Sequence, residues 1–274
     1  MSQQRFITLT TDFGVSDHYV GAMKGVVYSI NPSAKVVDIS HAVSSYDILD
    51  GALTIAQAYS YFPPDTIHVV VVDPGVGSAR RPIVARTEKY FFVAPDNGVL
   101  SLAFEREQRV HVHEITSEHY FLQPVSQTFH GRDVFAAVAG WLSKGVEFFN
   151  LGSEITDYVR FRMPRPTRGE NGAIQGVVLK VDKFGNVVTN ISPQDAPQLF
   201  AAEPPPFKIL ISKHEITSMK RAYTDGAPGE VFGMLGSMGF LDLSTNRGSA
   251  ARALEVGKGT EVVVSGKWKV ESEK

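Results

Sequence analysis

Two kinds of apolar pattern alternate along roughly the first 160 residues. Short runs rich in β-branched and aromatic residues, FITLTTD (6–12), KVVDI (35–39), IHVVVVD (67–73), PIVARTE (82–88), YFFVAPD (90–96) and RVHVHEI (109–115), read as strands. Between and after them, 17–30, 46–61, 97–106 and 131–145 space their apolar residues for one face of a helix. Such alternation predicts a mainly parallel sheet covered by helices. The four valines Val69 to Val72 predict a strand buried on both faces. At 162–172, RMPRPTRGENG crowds prolines, glycines and charges without apolar periodicity and marks a domain boundary. Beyond it the runs AIQGVVLKVD, GNVVTNIS, FKILIS, EVFGML, GFLDLS and TEVVVSG are short strands with little helix between them, the pattern of a small antiparallel barrel or sandwich. The expected domains are therefore 1–163, of the α/β class, and 172–274, all-β.

Composition narrows the function. At 274 residues, 43% hydrophobic and 20% charged, the chain can bury a real core in each of two domains. A net charge of −2 provides no global field to attract nucleic acid or an anionic membrane, so neither is an expected partner. The absence of cysteine excludes disulfides, thiolate metal sites and a cysteine nucleophile. No stretch approaches eighteen apolar residues and MSQQRFITLTTD has no apolar leader, so cytoplasmic residence is expected.

The strand ends carry the chemistry. Asp73 closes the buried valine strand, and the turn PGVGSA, too rich in Pro and Gly for strand or helix, leads from it to Arg80. Asp12 closes the first strand; if the two strands are parallel, both carboxylates lie on one rim of the sheet, where open α/β sheets bind small molecules. A carboxylate there can accept both hydroxyls of a ribose, and without GxGxxG or GxxxxGK[ST] the ligand would be a nucleoside lacking a phosphate chain. Asp17 is placed to cap a helix whose apolar face runs Val20, Met23, Val26, Val27 and Ile30. In TFHGRD, His130 stands at a helix start, where a side chain projects from the end of the element, and Asp73 and Arg80 are possible charged partners. His111 and His113 share a strand face, but no third ligand is evident, and no metal is expected. Past the boundary, Phe184-Gly185-Asn186 reads as a hairpin turn whose amide could match the edge of adenine, and LGSMGFLDLSTNRGSAAR (235–252) has small residues whose amides could approach a ligand carboxylate.

In this order, TTDFG, VVDPGVGSARR, APDNG, TFHGRD and DKFGNVVTNI span nearly the whole chain and resemble the S-adenosylmethionine hydroxide adenosyltransferases, relatives of the fluorinase and chlorinase. The resemblance implies an N-terminal α/β/α domain, a C-terminal β-barrel domain, and a homotrimer with sites between neighbouring subunits. It also implies hydrolysis of S-adenosylmethionine, the substrate, to adenosine and L-methionine with no metal or cofactor. Carried over motif by motif, the family's Asp/Arg/His triad falls on Asp73, Arg80 and His130, and its ribose ligand on Asp12. The residues around the methionine amine fall on Asp17 and Asp182, the adenine contact on Asn186, aromatic walls on Tyr46, Phe129 and Tyr223, and the small loop near the methionine carboxylate on Ser237. Gly236 stands where the family has asparagine and Met238 where the fluorinase has arginine, so the carboxylate contact departs from the family pattern.

In the hydrolytic reading Asp73 accepts or polarises the proton of water, Arg80 positions the water and holds Asp73 charged, and His130 relays. A halide adenosyltransferase is the alternative within enzymes, yet the fluorinase and chlorinase carry tyrosine at the place of Asp73, and the fluorinase has a loop inserted after the strand that this chain lacks. A carboxylate beside a halide would cost on the order of 4 kcal/mol at about 4 Å and an effective dielectric of about 20. A nucleoside-binding protein without turnover, its triad a structural ion cluster, is the alternative of a different class.

Overall fold

The computed structural model describes residues 5–169 and 171–266; Glu170, within the expected boundary segment, and both termini lie outside the described residues. The chain divides into two compact units, Met1–Arg162 and Met163–Lys274.

The first unit is built on seven strands: β1 (Phe6–Thr11), β2 (Lys35–Ser40), β3 (Ile67–Val71), β4 (Pro82–Thr87), β5 (Phe91–Pro95), β6 (Val110–Glu114) and β7 (Glu154–Ile155), laid side by side in the order β2-β1-β3-β5-β4-β6-β7. β2, β1, β3 and β5 are parallel, whereas β4, β6 and β7 are antiparallel to their neighbours, so the sheet is mixed where a mainly parallel one was expected. The cause is chain length. Three residues separate β4 from β5, far fewer than the dozen or so a parallel crossover needs, so the pair closes as a hairpin.

The valine run alternates between two cores. Val69 and Val71 pack with Ile7, Leu9, Met23 and Phe135 on one face, and Val70 and Val72 with Ile55, Phe92 and Leu100 on the other, which makes three layers. Helix α1 (Tyr19–Ile30) buries Val20, Met23, Val26 and Val27, and α2 (Ile48–Ala58) covers the opposite face. β1 thus lies between β2 and β3, with the helices that follow β1 and β2 on opposite faces. This is the switch point at which α/β sheets open a crevice beyond their carboxyl ends. The expected helix at 97–106 shrinks to α3 (Ser101–Phe104), and that at 131–145 opens as a π-helical turn, Gly131–Ala136, before α4 (Ala137–Ser143).

Asp17 does not cap α1. The helix starts two residues later, His18 occupies the cap position without a side-chain bond, and Asp17 is exposed, its carboxylate 3.5 Å from Ser16 Oγ.

The second unit holds β8 (Thr167–Arg168), β9 (Ile174–Val181), β10 (Val187–Thr189), β11 (Phe207–Ile211), β12 (His214–Ile216), β13 (Val231–Leu235), β14 (Leu241–Thr245) and β15 (Glu261–Gly266). All pairings among these strands are antiparallel, along β12-β11-β15-β9-β10-β14-β13 with β8 beside β9. Just past β12, Met219 bridges to Gly233 of β13, which curls the sheet into a barrel-like form around Ile174, Val187, Ile209, Leu241, Leu243 and Val262. Among the described residues no helix is long and apolar enough to cross a membrane.

Candidate active site

Thr11 pairs with Val71 across β1 and β3, so Asp12 and Asp73 emerge on the same rim, one and two residues past the paired ends. Asp12 Oδ2 accepts the amide of Tyr46 at 2.8 Å, from a residue held at φ 65° to direct that N–H. Burial raises the pKa of Asp12 above its ordinary value, opposed by the Tyr46 amide and its own backbone and reinforced by the charge of Asp73.

Two tight turns return the chain from Asp73 to Arg80: Val76 N donates to Asp73 O, Ser78 N to Gly75 O, and Gly77 takes φ 77°. Beyond them Arg81 anchors the segment, its guanidinium donating to Asp96 Oδ2 at 2.7 Å and Asp157 Oδ1 at 2.8 Å. Arg80 meets Asp73 with its fork, Nε 3.0 Å from both carboxylate oxygens and Nη2 2.5 Å from Oδ2, and the two side chains are only 9% and 5% exposed. The guanidinium lies over the ring of Phe135 at 5.2 Å. Its Nη2 also stands 2.7 Å from His130 Nδ1. Arginine can only donate, so Nδ1 is the acceptor and the imidazole carries its proton on Nε2. Burial, then the charge of Arg80, pushes the His130 pKa below its ordinary value, which keeps the ring neutral. His130 sits at the entry of the π-helical turn, a widening found often at functional sites. A side chain at Gly131 would come within 3.0 Å of the Phe13 ring, so glycine is what lets that aromatic close on the helix start.

From this array Asp73 alone lines a cleft of about 300 Å³ that also brings together Asp12, Tyr46 and Phe129, while Arg80 and His130 stand outside its lining. Asp17 is not among its lining residues. Phe13 and Tyr19 complete the wall and were not anticipated: Phe129 meets Phe13 edge-on at 5.9 Å and Tyr19 at 5.1 Å. The signal for Phe13 was its place beside Asp12; Tyr19 read only as the first turn of a helix. A larger cleft of about 440 Å³, beside Phe104, Tyr158 and Phe161, contains none of these groups. His111 and His113, the strand pair considered for metal, go separate ways, to Glu154 at 2.9 Å and to the Gly152 carbonyl at 2.9 Å.

A second polar group belongs to the second unit. Between β9 and β10, Asp182 closes the turn by accepting the amides of Phe184 at 2.9 Å and Asn186 at 2.8 Å, while Gly185 takes φ 88° in a space where a Cβ would lie 2.1 Å from Ser249 Oγ. Asn186 Nδ2 donates to Asp182 Oδ2 at 2.7 Å and to Tyr223 Oη at 3.4 Å, which leaves Oδ1, an acceptor, for a ligand N–H. Burial raises the Tyr223 pKa, with Asp242 and Asp182 adding to it. Asn186, Tyr223 and Phe184 line one cleft of about 610 Å³. Ser237 is exposed on the turn from β13 to β14.

Asp242 is the residue that sequence reasoning missed. It is 6% exposed, its Oδ1 has no partner among the described residues, and burial, then Asp182, raises its pKa to about 7. A Cβ at Gly236 would lie 2.0 Å from Asp242 Oδ2, so a side chain at that position would collide with this carboxylate as it is placed here. In GFLDLS an aspartate between two leucines reads as the outward face of a strand; its burial depends on the Gly236 turn folding over it.

One unit is mixed α/β with a crevice lined by the carboxylates Asp12 and Asp73, and the other is antiparallel β with a cleft of its own lined by Phe184, Asn186 and Tyr223. The sequence matches the SAM hydroxide adenosyltransferase N-terminal domain over residues 7–152 and the C-terminal domain of the same family over 176–263. The chain belongs to the SAM hydroxide adenosyltransferase family. It is 35% identical to an (R)-S-adenosyl-L-methionine hydrolase of Salinispora tropica, covering 97% of this chain and 99% of that one. A fluorinase of Actinoplanes sp. stands further off, 24% identical over 94% of this chain and 97% of its own length. A crystal structure of an uncharacterized conserved protein from Thermotoga maritima superposes with a TM-score of 0.86 at 36% identity, covering 94% of this chain and 99% of that one.

Proposed function

We propose that this protein splits S-adenosyl-L-methionine with water at C5′, giving adenosine and L-methionine. The observation that carries the reading is the Asp73–Arg80–His130 array at the rim of a crevice that also holds Asp12. The water oxygen forms a bond to C5′ as the C5′–sulfur bond breaks; the electron pair of that bond goes to sulfur and neutralises the sulfonium. The proton lost from water passes to Asp73. Its two oxygens accept from Arg80 yet keep lone pairs for a second donor. Arg80 keeps Asp73 ionised and aimed through its fork, and so positions the water that the carboxylate holds. Neutral His130 fixes the guanidinium from the far side; with Nδ1 taken by Arg80 it has no free acceptor for the expected relay, and Asp73 returns the proton to solvent after the C5′–sulfur bond has broken.

Asp12 holds the ribose hydroxyls, Tyr46 and Phe129 flank the ring system, Asn186 Oδ1 accepts from the adenine amino group, and Tyr223 stacks beside it. Asp182 and Asp242 receive the methionine ammonium, with Ser237 near its carboxylate; the cation supplies the partner that Asp242 Oδ1 lacks. Asp17, exposed beside the cleft, joins Asp182 around the methionine ammonium where a neighbouring subunit completes the site. A halide at the position of the water would face the Asp73 carboxylate, which favours the hydrolytic reading over halide transfer.

The protein works as a homotrimer without a cofactor, neighbouring subunits completing each other's sites. Incubation with S-adenosylmethionine in ¹⁸O-labelled water is expected to place the label in the 5′-hydroxyl of adenosine, and light scattering to report about 90 kDa, three times the 30.0 kDa chain. Label in methionine, or no turnover at high enzyme concentration, would sink the hydrolase; a fully active monomer would sink the trimer alone.

A further inference from the structure

Behind the rim that carries Asp12 runs a chain of polar contacts with no part in the reaction above. His41, just after β2, is 6% exposed, and its Nδ1 lies 2.8 Å from Thr11 Oγ1. Thr11 Oγ1 also accepts the amide of Phe13 at 3.2 Å, so this one hydroxyl ties the end of β1 to both the residue after Asp12 and the His41 ring. Nε2 is 3.1 Å from Asp38 Oδ1, close enough for an ion pair though off the line of a straight hydrogen bond, and Asp38 Oδ2 takes Lys24 Nζ at 2.6 Å. The backbone follows the same path. The His41 carbonyl accepts Gly14 N–H at 2.7 Å, and Val43 N donates to Thr11 O at 3.4 Å, so residues 41–43 are laced to both sides of Asp12. Three residues on, Tyr46 delivers its amide to Asp12. The loop's other end is tied to α2, where Asp50 Oδ2 accepts the Ser44 amide and hydroxyl at 2.9 Å each. A buried imidazole is costly unless its nitrogens are used, and here Nδ1 ties the start of the loop that presents Tyr46 to the end of β1 while Nε2 faces Asp38 of β2.

We propose that His41 is a positioning residue for the ribose subsite. Through Thr11 and Asp38 it fixes the 41–46 loop, and with it the Tyr46 amide that orients the Asp12 carboxylate toward both ribose hydroxyls. The proposal rests on the reading of Asp12 as the ribose ligand. When the imidazole link is lost the loop drifts, Asp12 turns, and the hydroxyls are no longer met together, while adenine and the triad keep their contacts.

The test is calorimetry with adenosine and 2′,3′-dideoxyadenosine. Wild type is expected to prefer adenosine by about tenfold or more, the loss that follows when a charged hydrogen-bonding group is left unmatched, and Asp12→Ala to abolish the preference. His41→Leu and Thr11→Val are each expected to cut the preference to about threefold or less with dideoxyadenosine affinity within about twofold of wild type, and the double variant to lose no more than either. His41→Asn, whose side-chain oxygen can stand where Nδ1 stood, should restore most of it. In turnover His41→Leu should raise KM while kcat changes by less than about twofold. No preference in wild type would overturn the ribose reading itself. Preference in wild type that Thr11→Val retains, or equal losses for both ligands in His41→Leu, would overturn the role of His41 alone. If His41→Leu does not fold, Thr11→Val, which removes one hydroxyl, decides.

Discussion

Asparagine in place of Asp73 is expected to lower kcat for adenosine formation by about 10²–10⁴-fold, the range lost when a positioned general base is removed. The amide keeps the shape of the carboxylate and one acceptor for Arg80, but it neither takes the proton of water nor balances a guanidinium that is 9% exposed. Removing one partner of a buried ion pair costs roughly 3–5 kcal/mol, so the melting temperature falls as well. The two effects separate in a single-turnover assay below the melting range, with adenosine affinity measured alongside; because Asp12 and Asn186 are untouched, that affinity should change by no more than about tenfold. A variant retaining kcat within about tenfold of wild type would mean that Asp73 is a structural partner of Arg80.

The pH dependence follows from the same array. His130 accepts Arg80 Nη2 on Nδ1, so protonating it removes that acceptor and sets two cations side by side. Its pKa in the folded protein lies below 6.5, so the acid limb of kcat is expected below that value. The sign for stability agrees: as pH falls from 6.5 toward the lower folded pKa, the unfolded chain binds the proton first and the folded state loses ground. Above 6.5 this group contributes no slope. Asp242, raised to about 7, should add a second limb near 7 to kcat/KM alone, because free enzyme must ionise it before the methionine ammonium binds. Asp242→Asn should remove that limb; a limb that persists would detach Asp242 from the ligand.

What could be read in the chain, and what could not, divides by the distance over which each feature is determined. Val69 to Val72 announced a strand buried on both faces because alternate residues must face opposite ways, and Asp12 and Asp73 were placed on one rim because each ends a strand. The antiparallel half of the sheet was also legible in the spacing: PIVARTE and YFFVAPD leave no room for a crossover, and a parallel reading overlooked that limit. Asp17 had the right chemistry for a cap, but the chain bends through 15–18 and α1 begins later. The contact between Arg80 and His130 spans 50 residues; the helix-start position of His130 made Asp73 and Arg80 candidate partners, but no local pattern encodes the contact, and the resemblance named the three as a set. Asp242 was hidden because its burial comes from a neighbouring turn rather than from its own strand.

Alanine at Gly77 is expected to cripple the enzyme without touching a charged group. Gly77 adopts φ 77°, which costs an alanine roughly 1–2 kcal/mol, and the new Cβ would stand 2.3 Å from the backbone carbonyl of Gln127. That carbonyl cannot yield easily, because Ser126 N is bound to the carboxylate of Asp133 at 2.9 Å and Asp133 is fully buried. Overpacking against it adds about 1–3 kcal/mol, and at about 2–4 °C per kcal/mol for a chain of this size the melting temperature should drop by several degrees or more. The strain has two outlets. If the 74–79 turn moves, Asp73 and Arg80 separate; if the 126–128 segment moves, Thr128 and Phe129 carry His130 away from Arg80. Either displacement, of the order of 1 Å, is expected to cost about 10² in kcat. Gly75→Ala is the control. Its Cβ would meet Ser78 Oγ at 3.3 Å and Arg80 Cγ at 3.4 Å, both side-chain atoms, and its φ lies outside the left-handed region, so kcat should stay within about threefold. Full activity in Gly77→Ala, or equal damage from the two alanines, would show that the turn does not hold Asp73 and Arg80 in register.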